Sequence, residues 1–313
     1  MHRRLALLGL IPAAVMAAPQ QAVRTPPRSA TAAATTPQQV VPAPTEAEIH
    51  ERAQRLVAHQ RENDLTLDQY ERIEHQVDRS SGANPRILQD RTYRLVPNGF
   101  GSTKILLTEN GKPADPAEYR KQLQAWSETL TLALNPEDSR SKALAAKSAK
   151  KKADRLDIVT AATGAFHVTW LGRETYSGRA CDIFQLDPNP DFRPHSTLQE
   201  AMTHITGKIW VEHSSDEMVR GEAHVTHDIA IGAGILGKLY KGATFSLDQA
   251  EVAPGVWLPV RYQYDFSGRK FFFPFEEHQV IEASHYRRLY PPTQALEVAK
   301  SELSGARKFS VDP

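Results

Sequence analysis

Apolar side chains recur along this chain with two different periods. Ile49, Ala53, Leu56 and Val57 fall at helical spacing just after Thr45 and Glu48, which stand three apart as a capping box requires. Tyr70, Ile73 and Val77 predict a second, short helix. A third starts at Asp115 as N-cap, with Pro116 at the first helical position and Glu118 three residues after the cap. Its stripe of Tyr119, Leu123, Trp126 and Leu130 fits either core packing or a lid over a groove. The pattern turns to β around 87–97 and 103–109, where Asn110-Gly111 is a turn signal, and stays so from about 164 to 289. Phe166, Val168 and Trp170 alternate with His167 and Thr169, while Phe184 and Leu186 are set against Asp182 and Gln185. Ile205, Gly207, Ile209 and Val211 alternate with polar neighbours, as do Val219, Gly221, Ala223 and Val225. Leu258, Val260, Tyr262, Tyr264 and Phe266 form the last such run. A period of two over successive segments predicts antiparallel strands with one apolar and one wet face. No helical pattern separates them, which argues against a parallel sheet. The expected object is a large curved antiparallel sheet, with the helical stretches available to cover its apolar face.

Composition adds limits. Of 313 residues, 40% are hydrophobic and 24% charged, which excludes collagen-like and wholly disordered classes. A net charge of +1 gives no global reason to expect nucleic acid as a partner. The single cysteine, Cys181, excludes an intramolecular disulfide framework and a multi-thiolate zinc site. Residues 1–17 have a basic start at Arg3 and Arg4, an apolar run from Leu5 to Val15 and small residues at Ala17 and Ala18, the pattern of a secretory signal peptide. An N-terminal membrane anchor is the alternative, but the run is shorter than a bilayer span needs. A periplasmic protein that is not integral to the membrane is therefore expected. The division that follows is a signal peptide at 1–17, a disordered tether rich in proline, alanine and threonine at 18–44, and helical segments with a β-hairpin at 45–138. A basic linker at 139–160, an antiparallel β domain at 161–290 and a C-terminal tail at 291–313 complete it. The basic segment, with Lys150, Lys151 and Lys152 at its centre, reads as a solvated helix end or linker, or as a contact for anionic headgroups.

Motifs for chemistry are weak. Gly232, Gly234 and Gly237 have dinucleotide-fingerprint spacing, with Glu251 19 residues after the first, but the sequence leaves no room for the helix that would receive a pyrophosphate. These glycines read instead as a close-packed loop, a gate at a cavity rim. His224 and His227 stand three apart, on opposite faces of a strand, and make a poor metal pair. Cys181 reads as a structural thiol. Asp182, Asp216 and Glu217 are scattered acids of the kind a glycosidase pair would use. Neither cofactor nor metal is expected, and the chain reads as a non-enzyme.

Leu171-Gly172-Arg173-Glu174, the run from Gly178 to Phe184, Gly207-Lys208-Ile209-Trp210-Val211, the run from Asp228 to Gly234, and Gly255-Val256-Trp257-Leu258-Pro259 give the stretch from Phe166 to Tyr290 a family likeness. It resembles the LolA-like outer-membrane lipoprotein-sorting proteins. The resemblance implies an α+β fold, a strongly curved, incomplete β-barrel whose apolar face is covered by helices and which carries acyl chains across the periplasm. On that reading the chain is a non-catalytic carrier or sensor of a lipid, acyl chain or lipoprotein. Phe166, Trp170, Phe184, Tyr262, Tyr264 and Phe266 are its expected lining, and Gly232, Gly234 and Gly237 its gate. An envelope protein-interaction module without a cavity, holding a protein partner or a membrane surface, is the alternative, and an exported hydrolase ranks third.

Overall fold

The computed structural model describes residues 42–231, 237–271, 273–306 and 309–310. The expected signal peptide, nearly all of the tether, and Gly232 and Gly234 lie outside these residues.

Helix α1 (Glu46–Leu67) begins at the Thr45–Glu48 capping box and leads into strand β1 (Tyr70–Arg79). Strands β2 (Ile87–Pro97), β3 (Ser102–Glu109) and the short β4 (Lys112–Pro113) follow, then helices α2 (Pro116–Ala133) and α3 (Ser139–Ala165). Strands β5 (Phe166–Tyr176) and β6 (Arg179–Pro188) lead to the short helix α4 (Thr197–Met202). Seven strands then run in succession: β7 (Ile205–Glu212), β8 (Met218–Val225), β9 (Ile229–Ile231), β10 (Gly237–Leu239), β11 (Thr244–Ala253), β12 (Val256–Lys270) and β13 (Phe273–Arg288). Helix α5 (Pro292–Leu303) comes last.

All the strands belong to one antiparallel sheet, ordered β4-β3-β2-β1-β13-β12-β11-β8-β7-β6-β5, with β10 joined to β12 and β9 to β10. The path does not close, so the architecture is an open half-barrel of α+β class. Bulges at Glu71/Ile73, Trp170/Gly172, Trp210/Val211 and Asp248/Gln249 interrupt its ladders, and bulges bend and twist the strands that carry them.

Several segments differ from their sequence reading. The stretch around Tyr70, Ile73 and Val77 is strand β1, not a helix. Ile73 and Val77 are four apart, an even number that puts them on one face under either period, and pairing with β2 on one side and β13 on the other decides for the strand. The basic segment is not a linker but makes up most of α3. Asp138 caps it by accepting from the amides of Arg140 and Ser141 at 2.7 and 3.3 Å, and its alanines and lysines are good helix formers. The C-terminal tail contains α5. The hairpin of 87–109 and the β region after 161 also share one sheet, because β1 brings the hairpin to β13 across some 200 residues of sequence. Val219 leaves the face of Gly221, Ala223 and Val225: at the β7–β8 bulge Met218 takes the place opposite Val211, and Val219 packs with Cys181, Trp210 and Trp257.

Register shows which residues share a face. Phe184, Ile209, Gly221, Leu247, Tyr262 and Ile281 stand opposite one another in turn across six strands. This face carries the largest buried cluster, with Ile205, Met218, Val225, Phe245, Tyr264 and Phe266, and Leu56 of α1 packs on it. The opposite face holds Arg94, Val96 and Ile105 at the β1–β3 end, where α2 and α5 cover them with Leu123, Trp126, Leu130, Ala295 and Ala299. The helices thus divide, with α1 serving one face and α2 and α5 the other. Trp126 is fully buried and donates Nε1–H to the Pro97 carbonyl at 2.7 Å. Trp126→Ala is expected to cost about 3–5 kcal/mol in urea unfolding, while exposed Lys147→Ala should stay within about 0.5 kcal/mol of the parent.

Candidate functional site

Helix α1 is mostly polar, yet it lies on an apolar face, and its two stripes explain how. Ile49, Ala53, Leu56 and Val57 point into a narrow seam whose other walls are Ala162 and Thr163 of α3, Phe166 and Val168 of β5, Phe184 and Leu186 of β6, and Ile209 and Val211 of β7. The seam has a free volume of about 70 Å³, and among the described residues Arg52 is the only charged side chain in its wall. A second stripe at spacings of three and four, Arg52, Arg55, His59 and Asn63, faces β6 and the β7–β8 turn.

That stripe meets a set of carboxylates. Arg52 donates from Nη1 to Asp182 and from Nε to Asp216, both at 2.6 Å, and Arg55 Nε reaches the other oxygen of Asp216 at 2.7 Å. Asn63 is bound at both ends of its amide: Nδ2 donates to Glu217 at 2.9 Å and Oδ1 accepts from the Trp257 amide at 3.2 Å. On its other flank α1 pairs with α3, Asp64 to Arg155 at 2.8 Å and Asp68 to Lys152 at 3.3 Å. The basic segment therefore turns two of its cations inward.

Asp182 is the centre of the cluster. Its side chain is 1% exposed and accepts from Arg52, from Trp170 Nε1 at 3.1 Å and from Arg173 Nε at 2.9 Å, with His213 Nδ1 at 2.7 Å. Burial alone would raise this carboxyl, but the bonds from Arg173, Arg52, His213 and Trp170 together outweigh it and hold Asp182 well below the usual carboxylate range. Glu217 goes the other way, raised by burial against weaker support from His59 and Asn63. Asp182 is thus committed to Arg52 and Arg173 as an acceptor, the opposite of the proton-holding partner that a glycosidase pair requires.

One atom of the cluster lacks a partner. Arg52 Nη2 is buried and makes no hydrogen bond. Its guanidinium lies 5.5 Å from the centre of the Phe184 ring, at the seam's wall.

The structure brings Phe166 and Phe184 together in the seam. Trp170, half-buried, bonds to Asp182 at the seam's polar end. Tyr262 and Tyr264 lie tilted against Phe245 deeper in the sheet cluster, and Phe266 meets Tyr264 edge-on, next to Leu56, Leu186 and Ile209, which border both regions. Gly237 starts β10 opposite Ile231 and Lys270. Cys181 is fully buried on the other face, where burial raises its thiol. Arg52 went unread in the sequence, although a signal was there: Asp182 has the parity of Phe184 and Leu186, so it sits on the apolar face and needs a cation.

A second groove, of about 430 Å³, opens at the far end of the sheet between Leu107, Pro116, Tyr119, Leu123, Glu302 and Phe309. Arg94, bonded to Glu302 of this lining, has every guanidinium nitrogen occupied, by Glu71 and by Glu302 at 2.7 and 2.9 Å.

Among solved structures, the chain is similar to a LolA superfamily protein from Nitrosomonas europaea, at 11% identity and a TM-score of 0.33, over 78% of this chain and 96% of that one. It is also similar to a DUF1329 family protein from Desulfovibrio piger, at 11% identity and a TM-score of 0.28, over 76% and 92% of the two chains. The complex of MucA with MucB from Pseudomonas aeruginosa matches at 8% identity and a TM-score of 0.20, over 80% and 96%. No family model matches the chain, and no curated protein does so with significance.

Two outcomes are expected of the cluster. Asp182→Asn leaves Arg52 and Arg173 facing a neutral amide and should cost about 3 kcal/mol in urea unfolding, with faster hydrogen exchange along α1. For Glu217, whose folded pKa is raised, the penalty of burying the charge is absent below the unfolded pKa and grows as pH rises through the folded value. Glu217→Gln should therefore gain stability over the parent at pH 8 relative to pH 4. A gain independent of pH would show that the carboxylate pays no burial penalty.

Proposed function

We propose that the chain is a periplasmic, non-catalytic binding protein whose seam under α1 receives the acyl chain of an anionic amphiphile, with Arg52 taking its head. The observation that carries this reading is the buried Nη2 of Arg52, a charged donor without a partner in the wall of an otherwise apolar seam. Buried polar atoms are nearly always satisfied, and each exception asks for an account. A carboxylate or phosphate entering along the seam would complete that guanidinium while its chain lies against Phe166, Phe184, Leu186 and Ile209. The resemblance to lipoprotein-sorting proteins and the export pattern of residues 1–17 support the same compartment and ligand class.

The seam as it stands holds the volume of about two waters. Entry of a chain therefore requires α1 to lift. Its attachments suit that motion, because Arg52, Arg55, His59 and Asn63 hold it by hydrogen bonds and ion pairs that an incoming anion can exchange. Lifting would bring Tyr262, Tyr264 and Phe266 within reach of a longer chain. The narrowness of the seam also favours a second reading, an envelope protein-interaction module that binds no lipid.

Native mass spectrometry and displacement of a fluorescent fatty acid separate the two. The purified protein is expected to take up a long-chain fatty acid, and Arg52→Met to weaken that uptake about tenfold, the value of one charge-assisted contact. Uptake of the fatty alcohol of equal length should change little. Arg55→Met, which also releases Asp216, controls for loosening of α1. Failure of the parent protein to take up either ligand refutes the carrier reading.

A further inference from the structure

The β12–β13 hairpin runs past the main body of the sheet. Strand β11 leaves β12 at Asp265, and beyond Ser267, among the described residues, only the short β10, with β9 outside it, accompanies the hairpin. The last pairs are Gly268 with Phe275, Arg269 with Pro274 and Lys270 with Phe273. At this tip Phe271, Phe273 and Phe275 are 44%, 76% and 37% exposed, and Pro274 is exposed beside them. No other place among the described residues gathers three large exposed apolar side chains within five positions.

The tip is built rather than merely uncovered. Gly268 lets the Phe275 ring lie across β12, since a Cβ there would stand 2.9 Å from the ring and 2.3 Å from the Lys238 carbonyl. Arg269 Nη1 donates to the Phe271 carbonyl at 2.6 Å and holds the turn. Pro274 contributes no amide hydrogen. Both features remove an unpaired backbone group from the exposed end, which suits a bilayer interface, where such groups are costly. A protein partner would need a pocket for each ring.

The charges beside the rings identify which lipid surface. Arg269 and Lys270 lie on β12, with Lys238 on β10 and Lys241 in the turn after it. Lys238 pairs with Asp228 at 2.7 Å, and the acids Glu276 and Glu277 follow Phe275 on β13, farther from the turn than Phe273. Lys270 stands level with Phe273 and Arg269 level with Pro274, both nearer the turn than Phe275, while Glu276 and Glu277 lie farther back. We propose that Phe271, Phe273 and Phe275 insert into the interface of an anionic bilayer, with Arg269, Lys270 and Lys241 at the headgroups. This surface is distinct from the seam, and neither proposal depends on the other.

The buried Cys181 makes a clean test possible, because a thiol placed at the tip is then the accessible one. Phe273→Cys carrying an environment-sensitive fluorophore is mixed with vesicles of phosphatidylglycerol and phosphatidylcholine, or of phosphatidylcholine alone. Blue-shifted, brighter emission with the anionic vesicles is expected. In co-sedimentation, Phe271→Asp with Phe273→Asp should lower binding by about tenfold or more, as loss of two buried rings implies. These positions are exposed, so near-ultraviolet circular dichroism should remain that of the parent. No binding by the parent, equal binding to neutral vesicles, binding unchanged in the double variant, or a dimer abolished by the double variant would each overturn the proposal.

Discussion

A carboxylate on the apolar face of a sheet has to be met by donors, and Asp182 is met from three elements. Arg173 comes from its neighbour β5, His213 from the turn after β7 and Arg52 from the helix lying across them. Much of the arrangement around the seam follows from this one buried charge. It fixes where along the sheet α1 crosses, since Arg52 must reach both Asp182 and Asp216. That placement puts Leu56 on the main cluster and Asn63 under Trp257. It also sets Asp64 and Asp68 against the cations of α3, which closes the seam from its other side. A hydrophobic contact alone would let a helix slide along an apolar face, whereas paired charges fix its register.

The architecture was largely legible from residue order. The period of two from Phe166 to Phe266 belongs to antiparallel strands, and the capping signals at Thr45 and Asp115 start helices as read. Errors arose where one spacing serves two periods, as with Ile73 and Val77, and where a bulge shifts parity, as at Val219. The length of α3 was obscured because charge drew attention away from helix propensity in its alanine- and lysine-rich first half. The seam was half legible. Phe166 and Phe184, two of the aromatics read on the apolar face, stand in its wall, whereas Arg52 belongs to a helix whose partners lie more than a hundred residues away, and the parity of Asp182 calls for a cation without saying which.

Arg52 and Arg94, on opposite faces of the sheet, are paired differently. Near β5–β8 the cluster leaves one guanidinium nitrogen free, while near β1–β3 Arg94 is satisfied by Glu71 and Glu302 and lies 4.0 Å from the centre of the Phe309 ring. A fully paired charge under packed helices makes a structural joint. An incompletely paired one at the edge of an apolar seam leaves room for a ligand.

Placing α1 on one face and α2 with α5 on the other has a mechanical consequence. Had all the helices shared one face, lifting any of them would have weakened the packing of its neighbours and exposed a continuous core. Here the wall of β-structure separates the two, so α1 can detach while Val96, Ile105, Trp126 and Leu130 stay sealed behind the sheet. Covers on separate faces are the arrangement in which one can open as a cooperative unit of its own without starting global unfolding.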